Sequence, residues 1–423
     1  MQQPEKISKS NFLDYSILIP YLILAVFGLV VVFSVTVPEL MTKGGSNIYS
    51  QVISQAVFLA LSLAMMLLIY RINIRTFQLN DLLGVFVIVE GGLLLAARFV
   101  FPPRNGAHGW IPLPGGFGTI QPAEFLKVFL IWYLALIFAH RQEKIAQNDL
   151  KELFPKKSLL GNLFTGWRRW IVFLIAAVII MPDFGNAIIC IAIVLIMLVT
   201  SGISFRWASA LFRLVIAGFI GFYILVRVTG GNIIPNVLFL SKLTYQNNRF
   251  KAWIDPFAGL TSYGKQLVNS YYAISNGGWT GLGLGNSIEK KGYLPFASTD
   301  FVFPIIIEEL GVIGGFIVLG LLFFLILRIL MVGIRARHPF NALICIGTSS
   351  MLLVQTFVNV GGAIGLIPET GVTFPFLSQG GSSLFVLSIA IALALNSSAH
   401  EKLLELKAEE NYLLKQREKR KWR

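Results

Sequence analysis

Residues 281–315, GLGLGNSIEKKGYLPFASTDFVFPIIIEELGVIGG, carry the chain from a polar, glycine-rich loop into a strongly apolar run. The polar part ends in Ser298, Thr299 and Asp300, and the apolar part holds two acids, Glu308 and Glu309. Pro304 suits the first turn of a helix, where its missing N–H is no loss. A membrane helix is therefore predicted to start near Phe303. Asp300 then sits in the lead-in, at a water–lipid boundary, with the glutamates about 8 Å deeper at roughly 1.5 Å per residue.

The rest of the chain resembles the apolar half of that stretch. Hydrophobic residues make up 55% of 423 residues and charged residues 13%. Mean hydropathy is +0.72. A soluble domain carries roughly 25% charge. The predicted fold class is therefore all-α polytopic membrane protein. Judged against the roughly 20 apolar residues needed to cross a bilayer, ten transmembrane helices are predicted. They lie near 15–37, 51–70, 79–100, 121–139, 170–181, 185–201, 206–228, 302–330, 340–364 and 379–397. The fifth is short and stops at Pro182, so a broken or tilted span is expected there. The domain plan is an N-tail (1–14), one membrane domain (15–398) and a basic C-tail (399–423).

The net charge of +14 raises nucleic acid as a partner, but its distribution argues against that. With the N-tail inside and the spans alternating, 23 basic residues fall on the inner side and 10 on the outer. Basic residues favour cytoplasmic loops and contact anionic lipid. Both termini are thus predicted cytoplasmic, in a multi-pass cytoplasmic-membrane protein. The two cysteines, Cys190 and Cys345, lie in apolar runs, so no disulfide framework is implied. The first run has no small-residue cleavage site after it and reads as a retained span. No Walker, Rossmann, metal-finger or hydrolase motif stands in a suitable context, and no organic cofactor is expected.

One extracytoplasmic loop, about 229–301, between spans seven and eight, dwarfs the others. Loops of that length usually carry function. Within it, 262–276 has apolar residues near helical spacing, so an amphipathic helix lying at the interface is predicted. Glycines 277–285 are read as giving the loop room to move. A second outer loop, 101–120, is dense in Pro and Gly and holds Trp110.

Charges inside spans are expensive and mark function by default. Glu124 and Lys127, three apart on one helical face, form either a structural ion pair or the polar wall of a cavity. Asp183, after Pro182, either caps the next helix or joins that cavity. Glu308 and Glu309 read either as structural, one of them bonding neighbouring helices, or as functional charges. Asp300 either caps span eight or acts in chemistry beside the large loop. Arg249 and Lys251, with Trp253 and Asp255, combine cations and aromatics at an interface, which suits a phosphate–sugar ligand or simple anchoring. Ser378, Gly380 and Gly381 open span ten. Their free amides form an anion site, or the small residues allow close packing.

Taken together, these motifs resemble the SEDS family of bacterial wall-building proteins, from about residue 15 to 398. The segments that carry the resemblance are GAHGWI (106–111), QPAEFLKV (121–128), PDFGNA (182–187), RFKAWIDPF (249–257), NGGWTGLGLGNS (276–287), YLPFASTDFVF (293–303), EELGVIGG (308–315) and PFLSQGGSS (375–383). GLGLGNS followed by KKGYLP is more similar to the FtsW branch than to the RodA branch. The chain departs from the pattern at Gly109, where the family has Arg, and at Phe296-Ala297-Ser298, where Glu-Ala-His is usual. It also departs at Gln379 and Pro304.

The resemblance implies a peptidoglycan glycosyltransferase polymerising lipid II at the outer face of the membrane, in cell division at the septum. Asp300 takes the position of the family's essential Asp. Trp110, Glu124, Lys127, Asp183, Arg249, Ser378, Gly380 and Gly381 are candidate substrate-binding residues. A divalent cation, Mg or Mn, would involve Asp300 and Glu124. The partners implied are lipid II, an undecaprenyl-pyrophosphate-linked glycan, a class B penicillin-binding protein transpeptidase and other divisome membrane proteins. The C-tail reads as a solvated topological anchor or a docking site for division proteins. Elongation-type polymerase, lipid II flippase and non-catalytic scaffold stand as alternatives.

Overall fold

The computed structural model describes residues 9–42, 49–102, 109–113, 118–155, 161, 165–233, 244–260 and 262–421. Residues 106–108 of the GAHGWI motif lie outside them. The main helices are α1 (Tyr15–Thr42), α2 (Ser50–Arg71), α3 (Asn80–Phe99), α4 (Pro122–Asn148), α5 (Arg168–Ile180), α6 (Phe184–Thr200) and α7 (Phe205–Val228). After α7 come α8 (Thr244–Ile254), α9 (Lys265–Gly277), α10 (Val302–Arg335), α11 (Pro339–Ala363) and α12 (Gly381–Lys421). A helix stands at each predicted span. Seven of them, α1, α2, α4, α7, α10, α11 and α12, are long and apolar enough to cross a membrane. α3 carries Asp81, Glu90 and Arg98, α5 has 13 residues and α6 has 17. β1 (Ile111–Pro112) and β2 (Thr119–Ile120) pair antiparallel just before α4.

The centre of the bundle is built from α4 and α12. Of their most apolar stretches 83% and 89% is buried, against 6% for α7. α12 packs on α2, α11 and α4; α11 packs on α10, α4 and α6; α1 lies against α10 and α2. Small residues permit the closest approaches. A Cβ on Gly28 of α1 would fall 2.2 Å from the Phe376 carbonyl oxygen, and one on Gly381 2.3 Å from the Phe58 ring.

α10 is two helices in line, broken at Gly311, where φ is 73° and ψ 174°. A break frees backbone groups that need partners, and the glycine-rich loop supplies them. The N–H groups of Leu282 and Gly283 donate to the carbonyls of Glu308 and Glu309, both at 2.9 Å. Val312 and Ile313 donate back to Gly278 and Trp279 at 2.9 and 3.3 Å. The contact is backbone on backbone. A Cβ on Gly281 would meet the Glu309 carbonyl oxygen at 2.2 Å, and one on Gly277 the Ile307 carbonyl oxygen at 2.1 Å. The expectation of loop freedom is therefore corrected: these glycines permit a wedge to lie inside a split helix.

Two further expectations change. α9 rests on α10 and buries Leu267, Val268, Ser270 and Ala273, so its apolar face covers protein. Ser270 Oγ also donates to the Ala363 carbonyl at 2.7 Å. And α12 has no break at 398/399. Glu401 accepts the N–H groups of Arg337 and His338 ahead of α11 at 2.8 and 3.1 Å, and Lys402 pairs with Asp14 at 3.5 Å. The first turn of the predicted tail is docked.

Candidate functional site

Three segments converge beside Asp300: its own lead-in to α10, the turn after α11 (residues 369–373) and the entry to α12 (378–381). Polar bonds staple them together. Asn359 Nδ2, on α11, donates to the carbonyls of Asp300 and Val372 at 2.8 and 2.7 Å. Gln379 N–H donates to the Ser298 carbonyl at 2.8 Å. Ser378 Oγ donates to the Thr299 carbonyl at 2.5 Å and accepts from Phe374 N–H at 2.8 Å. The backbone of Asp300 is thus fixed from several sides while its side chain remains half-buried. The capping alternative falls: the N-cap of α10 is Phe301, with no side-chain cap bond.

Asp300 lines a small cleft of about 10 Å³, room for about one water, with Asn359, Gly362, Glu369, Thr370 and Gly371. Arg249 reaches this place from α8. Its Nη2 lies 3.6 Å from Glu369 Oε1. A Cβ on Gly371 would fall 3.1 Å from Arg249 Nη2 and 3.6 Å from Asp300 Oδ2. Gly371, with φ of 75°, is therefore the gap across which the guanidinium and the carboxylate face each other. Burial pushes Asp300 above the ordinary carboxylate range, and Arg249 pulls it back. Burial lifts Glu369 to about 7, against the same pull from Arg249, with Asp300 adding to the rise.

A second polar chain runs from α4 toward this pocket. Lys127 Nζ lies 2.8 Å from Glu124 Oε2 and donates to Gln355 Oε1 at 3.1 Å. Gln355 Nε2 donates onward to the Thr373 carbonyl at 3.1 Å. Thr373 Oγ1 and Ser383 Oγ stand 3.0 Å apart. Asp183 Oδ1 caps α6 by accepting Asn186 N–H at 3.1 Å, and its Oδ2 accepts from Gln121 Nε2 at 2.6 Å. The charges of Glu124 and Lys127 act on Asp183, and that of Asp183 acts on Asp300. Asp183 thus caps a helix and also lies within electrostatic reach of the pocket.

Asp300, Arg249, Asp183, Glu124 and Lys127 are accordingly brought into one electrostatic neighbourhood. Ser378, Gly380 and Gly381 are committed to internal contacts. Gly380 N–H donates to Gln55 Oε1 at 3.2 Å, and Ser378 and Gly381 are used as described above. Trp110 is half-buried directly ahead of β1. In the α8 segment, Trp253 Nε1 donates to the Gly365 carbonyl at 3.1 Å and Asp255 accepts Ala258 N–H at 3.1 Å.

Sequence reading missed Glu369, Gln355 and Asn359. Glu369 stands in GLIPETGV, a turn holding one acid between glycines, and that isolation was the available signal. Metal ligation fits poorly: among the described residues no three His, Cys, Asp or Glu side chains converge, and Glu124 is taken by Lys127.

Glu308 and Glu309 meet the expectation of a structural role. Glu308 accepts from Asn276 Nδ2 at 3.1 Å, from Ser287 Oγ and from the N–H groups of Ile288 and Glu289 at 3.2 and 3.3 Å. Glu309 pairs with Lys290 at 2.5 Å, and Ser34 Oγ on α1 donates to both its oxygens at 2.7 and 2.9 Å. Lys290 is fully buried.

Relatives with the same layout are known. A family model described as cell cycle protein, FtsW/RodA/SpoVE, matches residues 15–403. The chain is 54% identical over 418 residues to a probable peptidoglycan glycosyltransferase FtsW of Lactococcus lactis, covering 96% of this chain and 97% of that one. It is 37% identical over 403 residues to the corresponding Bacillus subtilis protein, covering 93% and 92%. Among solved structures, a chain described under structural coordination of polymerization and crosslinking by a peptidoglycan synthase complex superposes with TM-score 0.68 at 23% identity, over 92% of this chain and 98% of that one. The Thermus thermophilus rod shape determining protein RodA gives TM-score 0.60 at 21% identity, over 94% and 99%. The chain is a multi-pass membrane protein of the FtsW/RodA/SpoVE cell cycle family, on its FtsW branch.

Proposed function

We propose that the protein is a peptidoglycan glycosyltransferase that polymerises lipid II into glycan strands at the outer face of the cytoplasmic membrane, for septal wall synthesis. The observation that carries this reading is Asp300: rigid in its backbone, open in its side chain, lifted in proton affinity and faced by Arg249. The relatives' names supply the reaction class. The topology adopted is ten spans with both termini cytoplasmic and 229–301 outside. A cysteine at exposed Leu260 labelled only from the cytoplasm would sink it.

In the reaction, the 4-hydroxyl oxygen of an incoming lipid II sugar attacks the anomeric carbon of the growing strand. The carbon–oxygen bond to undecaprenyl pyrophosphate breaks, and the pyrophosphate leaves with the electron pair. The hydroxyl proton passes to the Asp300 carboxylate. A carboxyl of raised proton affinity is a better base for that step. Arg249 offers charge-assisted hydrogen bonds to the leaving pyrophosphate. Lys127, held by Glu124 and Gln355, adds positive potential from deeper in the cavity, with Asp183 between. A single displacement inverts the anomeric centre.

The proposed partner is a class B penicillin-binding protein, a single-span transpeptidase. It would sit against the large loop and the outer halves of α10 and α11, where Ile313, Phe316 and Ile317 of α10, Phe357 of α11 and Leu366 just beyond it are exposed. The deciding experiment is lipid II polymerisation by the purified protein, alone and with that partner. Absence of glycan strands in both would move the flippase and scaffold readings ahead.

A further inference from the structure

Resting on that reading of Asp300, we propose that Glu369 is a positioning residue of the polymerisation site: it competes with Asp300 for Arg249 and so keeps the Asp300 carboxylate available as a base. Two carboxylates and one guanidinium share the pocket. Arg249 Nη2 stands 3.6 Å from Glu369 Oε1. Both Nη2 and Asp300 Oδ2 border the space where a Gly371 side chain would stand, a Cβ there falling 3.1 Å from the one and 3.6 Å from the other. Both acids line the same cavity. The turn that bears Glu369 is tied to the backbone of Asp300 by Asn359, which donates to the Asp300 and Val372 carbonyls. Glu369 therefore has a fixed relation to the reacting carboxylate although it is 69 positions away in the chain.

The chemistry follows from that count of charges. A guanidinium paired directly with Asp300 would stabilise its anion and weaken it as a base. A guanidinium held on Glu369 is close enough to meet a pyrophosphate and leaves Asp300 less neutralised. The groups that act on this pair are Arg249 from α8, Asp300 from the lead-in to α10 and Asp183 from the corner before α6. Glu369 titrates near 7. A charged Glu369 disfavours ionisation of Asp300, the reciprocal of the rise that Asp300 causes at Glu369; a neutral Glu369 no longer draws Arg249 away from Asp300. The two carboxyls titrate as a coupled pair, and the acid side of the pH–rate profile reports both.

The test uses the full-length protein with its transpeptidase partner, lipid II as substrate and strand formation followed from pH 5 to pH 9. Glu369→Gln removes the charge and keeps the shape. Its maximal rate is expected to fall about 10- to 100-fold, as misplacement of a binding group does. Its acid limb should move down by about one pH unit, the size of a single charge–charge effect, and lose steepness. Glu369→Asp keeps the charge and should recover most of the rate, with the limb close to wild type. A wild-type rate and limb in Glu369→Gln overturns the proposal. So does a lower rate with an unmoved limb, which is the mark of a merely structural residue. If Glu369→Gln does not fold, Glu369→Asp decides alone: a limb displaced downward by as much as a full unit overturns the proposal. Failure of the underlying reading looks different, because wild-type protein would then form no strands, or Asp300→Asn would form them normally.

Discussion

Two groups of acids flank the start of α10, and they are treated in opposite ways. Glu308 and Glu309 are saturated. Between them they accept from four side chains and two backbone N–H groups, and they tie α1, α9 and the loop over 287–290 to the split in α10. Asp300 and Glu369 share one guanidinium, face a pocket and hold their protons more tightly than ordinary carboxylates. Saturated acids at depth rigidify a fold. Unsaturated acids at an opening are available for chemistry. Charge in an apolar stretch is therefore an incomplete guide to function; what separates the two cases is how many donors each oxygen already has.

That contrast can be broken most directly at Asp300. Asp300→Asn keeps the shape and removes proton acceptance, so polymerisation should fall by about 10²–10⁴ while melting temperature and partner binding stay near wild type. A near-normal rate would end the general-base reading. On the saturated side the sign of the effect reverses. Lys290→Met strands the Glu309 charge and should cost about 3–5 kcal/mol of stability. The double variant Lys290→Met with Glu309→Gln should lose clearly less, as read from thermal unfolding in detergent. Equal losses would assign the effect to packing. The Glu124–Lys127 pair offers the same comparison in α4, with Gln355 retained as a neutral partner for Lys127.

A smaller loss is expected from Gly281→Ala. Its Cβ would clash with the Glu309 carbonyl at 2.2 Å, at a positive φ of 81°. A stability loss of about 1–3 kcal/mol follows from strain and overpacking, with rates per folded molecule largely kept. An unchanged melting point would mean that the wedge is not seated in the split helix. Smallest of all should be Asp255→Asn, in the same outer loop as Asp300 but exposed and serving only a local turn. It should stay within about 0.5 kcal/mol and within twofold in rate.

Helix placement was legible from the sequence because every span is an apolar run bounded by charge, proline or glycine. The ion pair of Glu124 and Lys127 was legible too, since spacing by three puts both on one face. The capping reading of Asp183 followed from Pro182 beside it. What escaped were contacts between residues far apart in the chain. Nothing local says that Lys290 will be buried against Glu309 and Ser34. Nothing local says that glycines 277–283 will fill a break at Gly311, because glycine permits both motion and close approach and only the facing backbone decides between them. Glu369 was passed over because an acid in a short turn is ordinarily solvated; here it is largely covered and lines the same pocket as Asp300.

One element links this pocket to the other side of the molecule. α12 runs unbroken from Gly381 to Lys421 over 41 residues, about 60 Å at 1.5 Å per residue, or twice the roughly 30 Å of a hydrocarbon core. Beyond Gly381 it contains neither glycine nor proline, so it has no joint at which a twist could be absorbed. Its upper end follows the segment that bonds the carbonyls of Ser298 and Thr299, next to Asp300. Past the turn docked by Glu401 and Lys402, residues 405–410 are exposed, like the free end of an axle. A torque applied to that end by anything gripping the basic terminus would arrive, with little loss, at the turn holding the reacting carboxylate.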